Sequence, residues 1–334
     1  MNGRLEHDLR VEQTITDKLK KLPDYVEEWD LNMKASQKTT ATRINYIRQI
    51  GLFLSFINSD PKRVELNELD TIQIQKFFVS LQTKTNKKGE IVETSDSYKC
   101  MTWACLNNFF EYMLKRGYIK ENPVLIIEKP KNHDLPRINE NRKLLTEKDF
   151  NKILNAVDKD YMCDFDFKPR NKAILTMFMC TGMRKTALTE INIEDIDMEK
   201  REVRIIDKRK KLHIYPMNDS LYGELKMWLR KREELLQENH ATCDALFISK
   251  NMTRLGINGI HDIVKRYSRL GLGYEIMPHK LRAGLASILY NKTHDLEFVR
   301  RTIGHSDIST TTRYIVTKGK EREEAGAIMD KLLD

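Results

Sequence analysis

Apolar residues recur at helical spacing through the first part of the chain. The stretch TTATRINYIRQIGLFLSFIN (39–58) places Ile47, Ile50 and Leu54 on one helical face, and Thr39 or Thr40 is available as its N-cap. TIQIQKFFVSLQT (71–83) and SDSYKCMTWACLNNFFEYMLKRG (95–117) repeat this spacing, with the basic loop KTNKKGE between them. We therefore predict a small helical bundle.

The second part of the chain changes period once. LTEKDFNKILNAV (145–157) predicts a helix capped by Thr146, and RNKAILTMFMCTGMRKTALTEIN (170–192) predicts two helices separated by Thr181 and Gly182. The short β-type runs REVRII and LHIYPM flank DKRKK and predict a hairpin. Helical spacing then resumes and continues to the C-terminus. The predicted fold is mainly α with a small antiparallel β-sheet.

The length of 334 residues favours more than one domain. KPKNHDLPRINENRKL (129–144) has few apolar residues, two prolines and many charges, so we predict an interdomain linker there. This divides the chain into an N-terminal extension at 1–21, a helical domain at 22–128, the linker, and a second domain at 145–334. The last segment has apolar residues at helical spacing and predicts a C-terminal tail helix.

Composition points to an acidic partner. Lysine and arginine outnumber aspartate and glutamate by 58 to 49, a formal charge of +9, which favours binding to a polyanion. We expect a cytoplasmic protein, since no stretch has the pattern of a secretory signal or of the roughly 20 apolar residues of a membrane helix. The five cysteines form no CxxC pair, no GxxxxGK[ST] motif occurs, and the acidic run IEDIDMEK is typical of a solvated turn. No metal and no cofactor is therefore expected.

Two arginines lie in settings suited to a phosphodiester under attack. The negative charge that develops on the phosphate oxygens matches the paired donors of a planar guanidinium. Arg184 follows a glycine break in TGMR, and Arg282 lies in HKLR. His279 precedes Arg282 by three residues and so shares its helical face, where an imidazole can take a proton or bind a phosphate oxygen.

Two further stretches add candidate chemistry. IGHSDISTTTRY (303–314) offers a second imidazole, His305, and a phenol, Tyr314, whose ordinary pKa of about 10 requires cationic neighbours for ready ionisation. The basic hairpin turn either is solvated and contacts backbone phosphates or supplies a lysine that protonates a departing 5′ oxygen. Lys208 and Lys210 are the candidates for that lysine.

These motifs, in this order, resemble the tyrosine recombinases of the phage-integrase family. The resemblance covers roughly residues 145 to 320, and the helical part resembles that family's core-binding domain. It implies that Arg184 and Arg282 clamp the phosphate, that Lys208 is the general acid, and that His279 and His305 transfer protons and bind oxygen. It also implies that Tyr314 forms a 3′-phosphotyrosyl link to DNA without ATP or metal.

The resemblance further implies a two-domain clamp around DNA and a set of partners. These are double-stranded DNA at a specific recombination site, a homotetramer on synapsed DNA, and an accessory factor that sets direction. Integration or excision of a mobile element, by a bacterial or phage-encoded enzyme, is the expected reaction. Additional DNA-binding candidates are Arg43, Lys87, Lys88, Arg209, Lys210 and Lys211.

Two departures from the family pattern stand out. Ala187 occupies a position three residues after the first arginine, where the family often has an acidic residue, and Ala283-Gly284 follows HKLR, where a histidine and a small residue are common. Two alternatives stay open. One is a type IB topoisomerase-like enzyme, and the other is a catalytically inactive DNA-binding regulator.

Overall fold

The computed structural model describes residues 3–86, 89–131, 144–206 and 212–304. The chain divides into two compact units, Met1–Ile138 and Asn139–Asp334. Each unit combines helices with a small antiparallel sheet. The predicted fold class, mainly helical with a small antiparallel β-sheet, is confirmed.

The first unit is a helical bundle with a short hairpin. Its elements are α1 (Gly3–Leu19), α2 (Asp24–Ala35), α3 (Thr40–Ile57), α4 (Thr71–Ser80), β1 (Thr83–Thr85), β2 (Ile91–Glu93) and α5 (Asp96–Lys115). Thr39 caps α3, since its hydroxyl accepts a hydrogen bond from the amide of Thr42 at 3.2 Å. Asp70 and Gln73 form a capping box at the start of α4.

Aromatic rings fill the centre of the first unit. Trp29 meets Phe109 edge-on at 5.1 Å between ring centroids, and Phe53 meets Phe110 in the same way at 5.8 Å. The predicted inward face of α3 is buried at Ile47, Ile50 and Leu54. Ile15 of α1 is also buried in this core, so the first helix belongs to the unit's packing.

The hairpin β1–β2 was predicted only as a basic loop. Thr83 pairs with Glu93 and Thr85 with Ile91 in antiparallel register. Neither three-residue strand has a buried side chain, so the sequence carries no alternation of apolar and polar positions to reveal it. Lys87 and Lys88 lie outside the described residues.

The second unit packs helices around a three-stranded sheet. Its elements are α6 (Glu147–Asp158), α7 (Lys168–Thr181), α8 (Lys185–Glu190), β3 (Ile196–Asp197), β4 (Glu202–Ile206), β5 (Leu212–Pro216), α9 (Asp219–Glu238), α10 (Ile257–Leu272), α11 (Pro278–Thr293) and α12 (Leu296–Ile303). The strand order is β3-β4-β5, all antiparallel, and the predicted hairpin corresponds to β4 and β5.

Two glycines allow α6 to lie close to its neighbours. A Cβ atom at Gly271 of α10 would lie 2.6 Å from the carbonyl oxygen of Lys152, and one at Gly284 of α11 would lie 2.9 Å from Cβ of Leu145. The same Cβ atom at Gly284 would lie 3.1 Å from Cε1 of Phe150 in α6, so helix packing requires a glycine there.

Candidate active site

Arg184 lies at the turn between α7 and α8. Gly182 ends α7 in the left-handed conformation, with φ of 61°, and Arg184 is the N-cap of α8. Leu188 and Ile191 are buried, which draws α8 into the core. Arg184 itself is exposed at this turn.

Arg282 connects two turns that are far apart in sequence. Arg282 lies in the second turn of α11 and is only 4% exposed. Nη1 donates a hydrogen bond to the carbonyl of Gly182, and Nη2 donates one to the carbonyl of Gly304 at 3.5 Å. Gly304 ends α12 and immediately precedes His305. One guanidinium therefore joins the turn that leads into Arg184 to the turn that leads into His305.

Apolar contacts hold the same two turns together. A Cβ atom at Gly182 would lie 3.0 Å from Cγ2 of Ile303 and 3.0 Å from Cδ2 of Leu285. Ile303 is fully buried, so this contact anchors the end of α12. The arrangement around Arg282 is consequently fixed by packing as well as by hydrogen bonds.

His279 lies one turn before Arg282, in the first turn of α11, which begins at Pro278. His279 is exposed, whereas Arg282 is buried. The helix therefore presents an imidazole to solvent close to a guanidinium that is embedded in the protein.

The strand β5 reaches the turn before His305. Burial alternates along β5, and His213 and Tyr215 are its half-buried residues. A Cβ atom at Gly304 would lie 3.1 Å from Oη of Tyr215 and 3.7 Å from Nδ1 of His213. Sequence analysis did not select either residue, although the alternation in LHIYP places both on one face of the strand.

The remaining candidates of the predicted site lie outside the described residues. They are Lys208, Arg209, Lys210, Lys211, His305 and Tyr314. The structure does give the attachment points of two of these segments. Ile206 pairs with Leu212 at the base of the basic turn, and Gly304 leads into His305.

Arg43 was predicted to contact DNA, and this prediction is wrong. Arg43 is 2% exposed, and its guanidinium donates two hydrogen bonds to the Asp30 carboxylate, at 2.8 and 2.6 Å. Glu12 of α1 accepts two more, and together the carboxylates raise the pKa of Arg43. A phosphate contact would require breaking both pairs. Arg43 precedes Ile47 by four residues, so its position on the buried face was visible in the sequence.

The described residues contain no group of three or more histidine, cysteine, aspartate or glutamate side chains arranged to hold a metal ion. Over the same part of the chain, no helix is long and apolar enough to cross a membrane.

Residues 143–321 match the family model described as the phage integrase family. The chain belongs to this family. It is a tyrosine-type site-specific recombinase, and its predicted resemblance to the tyrosine recombinases is confirmed.

Two curated relatives match the recombinase over most of both chains. It is 30% identical over 259 residues to tyrosine recombinase XerC of Shewanella amazonensis, covering 75% of this chain and 82% of the relative. It is 32% identical over 295 residues to tyrosine recombinase XerC of a Roseiflexus species, covering 87% and 88%.

Solved structures share the fold of the recombinase. A post-cleavage complex of the XerH site-specific recombinase with a palindromic difH substrate matches with a TM-score of 0.63 and 22% identity, over 87% of this chain and 80% of that one. A lambda integrase dimer bound to a COC′ core site matches with a TM-score of 0.62 and 17% identity, over 87% and 94%.

Proposed function

We propose that the recombinase cuts and rejoins double-stranded DNA at a specific site through a covalent 3′-phosphotyrosyl intermediate formed by Tyr314. The observation that carries this proposal is the position of Arg282, which joins the turn before Arg184 to the turn before His305. The turns at Gly182 and Gly304, more than a hundred residues apart in the chain, are thereby connected through one side chain.

The two arginines form the phosphate clamp. Attack on the phosphodiester spreads negative charge over the non-bridging oxygens, and a planar guanidinium binds two such oxygens at once. Arg184 reaches outward from a helix start, while Arg282 is held by carbonyl groups that fix its orientation. A donor that is already oriented costs little reorganisation when the charge develops.

The bond changes balance without an external energy source. The phenolic oxygen of Tyr314 bonds to phosphorus, the bond from phosphorus to the 5′ oxygen breaks, and the phenolic proton passes to His279 or His305. Lys208, with Lys210 as the alternative, protonates the departing 5′ oxygen. A 5′ hydroxyl of a second strand reverses these steps and releases the tyrosine, since the ester bond is conserved.

DNA binding and assembly extend the same proposal. Several matching structures contain DNA, including a lambda integrase tetramer bound to a Holliday junction. We propose that both units of the recombinase contact the duplex, that four copies assemble on synapsed DNA in the cytoplasm, and that an accessory factor sets direction. The net charge of +9 supports a large contribution from phosphate contacts.

Two reactions fit this chemistry. One is the integration or excision of a mobile element. The other is chromosome dimer resolution, which is favoured by the XerC and XerD names of the curated relatives. They differ in where the enzyme cuts, at the ends of an element or at one chromosomal site.

Covalent capture tests the proposal directly. The purified protein is mixed with sheared DNA from its own source, the reaction is stopped with detergent, and the DNA attached to protein is sequenced. We expect adducts at one recurring site, and we expect Tyr314→Phe to bind DNA normally while forming no adduct. Tyr161→Phe is the matched control, because Tyr161 is a 92% exposed tyrosine in the loop before α7.

Other outcomes would contradict the proposal. Adducts scattered over the DNA would indicate a topoisomerase-like activity, and adducts formed by Tyr314→Phe would show that another residue is the nucleophile. The recovered site also separates the two reactions, because the ends of an element and a single chromosomal site differ in their flanking sequences.

A further inference from the structure

The turn that leads into His305 is held from two directions. From α11, Arg282 donates a hydrogen bond to the carbonyl of Gly304 at 3.5 Å. From β5, the side chains of His213 and Tyr215 lie against the Cα side of the same glycine, 3.7 and 3.1 Å from the position of a Cβ atom there. Gly304 has a φ of 69°, a backbone conformation that residues other than glycine rarely adopt.

The position of His213 along its strand connects this turn to the basic hairpin. Ile206 and Leu212 pair at the base of the basic turn, so His213 is the second residue of β5 after that turn. Its register partner is Ile205 of β4. His213 therefore lies between the base of the basic turn and the turn at Gly304.

The two side chains differ in what they can contribute. Tyr215 is the closer one, and its hydroxyl oxygen limits the approach of Gly304. His213 places a ring nitrogen near the turn and so can act through a polar atom at the δ position as well as through ring volume. Packing alone requires only the ring, whereas hydrogen bonding requires the nitrogen.

We infer that His213 is a positioning residue of the recombinase, which acts through its δ nitrogen to set the placement of His305 at the scissile phosphate. This inference rests on the proposed function. Tyr215 provides the surface against which Gly304 is held, and Arg282 holds it from the other side. A shift of about 1 Å in a group that contacts the reacting phosphate is enough to slow the chemical step by on the order of a hundredfold.

Two substitutions separate the polar atom from the ring. His213→Asn keeps a polar atom near the position of Nδ1 but removes the ring, and His213→Phe keeps the ring volume but removes both nitrogens. The rate of covalent adduct formation is measured on a nicked duplex that carries the site recovered by adduct sequencing. We expect His213→Phe to lose on the order of ten- to a hundredfold in rate and His213→Asn to retain most of it.

Further readouts distinguish positioning from general damage. DNA binding in gel shifts and the melting temperature should match those of the unmodified protein for both variants. The same pair of substitutions at His240, which is exposed at the end of α9, should leave the rate unchanged. In a double-mutant cycle, His213→Phe should cause little additional loss in a protein that already carries His305→Ala.

Each alternative outcome overturns the inference. Full activity of His213→Phe would show that only ring volume matters, and parallel losses of melting temperature and activity would show a purely structural role. Additive losses in the double-mutant cycle would show that His213 does not act through His305. Failure of the unmodified protein to form any adduct would instead refute the proposed function, and the inference with it.

Discussion

Arg282 is a residue whose structural and chemical uses coincide. A guanidinium presents several donors in a rigid plane, so it can bind two carbonyls and still match the geometry of a phosphate. Gly182 and Gly304 each end a helix in the left-handed conformation. Carbonyl groups at the end of a helix have no hydrogen-bond partner within that helix. An arginine at this position therefore stabilises both turns before the substrate binds.

This double use predicts a loss of stability together with a loss of activity. Arg282→Lys replaces the fork by a single ammonium that cannot reach both carbonyls, so we expect the free energy of unfolding to fall by about 1–3 kcal/mol. Chemical denaturation measures this quantity. Arg184→Lys is the control, because Arg184 is exposed and its side chain forms no ion pair or hydrogen bond within the described ranges.

Both variants should lose DNA cleavage, but only Arg282→Lys should lose stability. The unfolding free energy of Arg184→Lys should stay within about 0.5 kcal/mol of the unmodified protein. Equal stability of the two variants would contradict the structural role of Arg282.

At the level of elements, glycines determine how closely helices approach. Gly271 of α10 faces the backbone carbonyl of Lys152 in α6, where a Cβ atom would lie at 2.6 Å, whereas Gly223 of α9 has no atom within 4 Å of that position. Both glycines lie within a helix, but only Gly271 has a neighbouring backbone at the position of a Cβ atom.

Alanine substitution should therefore have opposite effects at the two positions. Gly271→Ala should lower the free energy of unfolding by about 1–3 kcal/mol, because α6 and α10 must move apart. Gly223→Ala should raise it by about 0.5–1 kcal/mol, because alanine has the higher helix propensity. Thermal and urea unfolding of both variants measure the difference, and effects of equal sign would contradict the packing.

An ion pair links the same two helices. Arg266 of α10 donates hydrogen bonds of 2.6 and 2.8 Å to Asp160, which follows α6 and is 6% exposed. The hydrogen bonds from Arg266 lower the pKa of Asp160 below its ordinary value of 3.8. A lowered carboxyl pKa stabilises the folded state at pH values above 3.8, and this contribution is lost as the pH falls through the folded-state pKa.

The pH dependence of stability tests this pair. At neutral pH, Asp160→Asn should reduce the free energy of unfolding by about 2 kcal/mol. The difference between the two proteins should shrink as the pH falls below 3.8. Urea unfolding over a pH series measures it, and a difference that does not change with pH would show that the carboxylate charge contributes nothing.

At the scale of the whole molecule, charge governs association with DNA. The excess of nine positive charges is distributed over both units, and each phosphate contact made by a lysine releases counterions. Lys87 and Lys88 were predicted from the sequence to contact DNA and lie outside the described residues. Their role stays a prediction.

The salt dependence of binding tests these lysines. Replacing Lys87 and Lys88 by alanine should make the slope of log K against log salt shallower by about 2, because each phosphate contact contributes about 0.9. Alanine at both Lys231 and Lys250 is the control with equal charge loss. These lysines pair with Asp166 and Asp164 before the start of α7, about 20 Å of helix away from the turn that carries Arg184. An equal change of slope in both double variants would show that only net charge matters.

The sequence by itself determined the local features of this protein. Helical spacing located α3, α4 and α5, the threonine at 146 predicted a cap that is present, and two β-type runs predicted β4 and β5. The motifs TGMR, HKLR and IGHSDISTTTRY identified the family, which the family model confirms. These signals are legible because each depends on residues that are neighbours along the chain.

The tertiary structure decided which distant residues meet. Arg282 reaches Gly182 across 100 positions and Gly304 across 22, and His213 meets Gly304 from another part of the chain. The spacing of Arg43 from Ile47 showed that it lies on a buried face, but only the fold showed which carboxylates neutralise it, those of Asp30 and Glu12. Such contacts arise from the packing of helices and strands on one another, and no local periodicity records their partners.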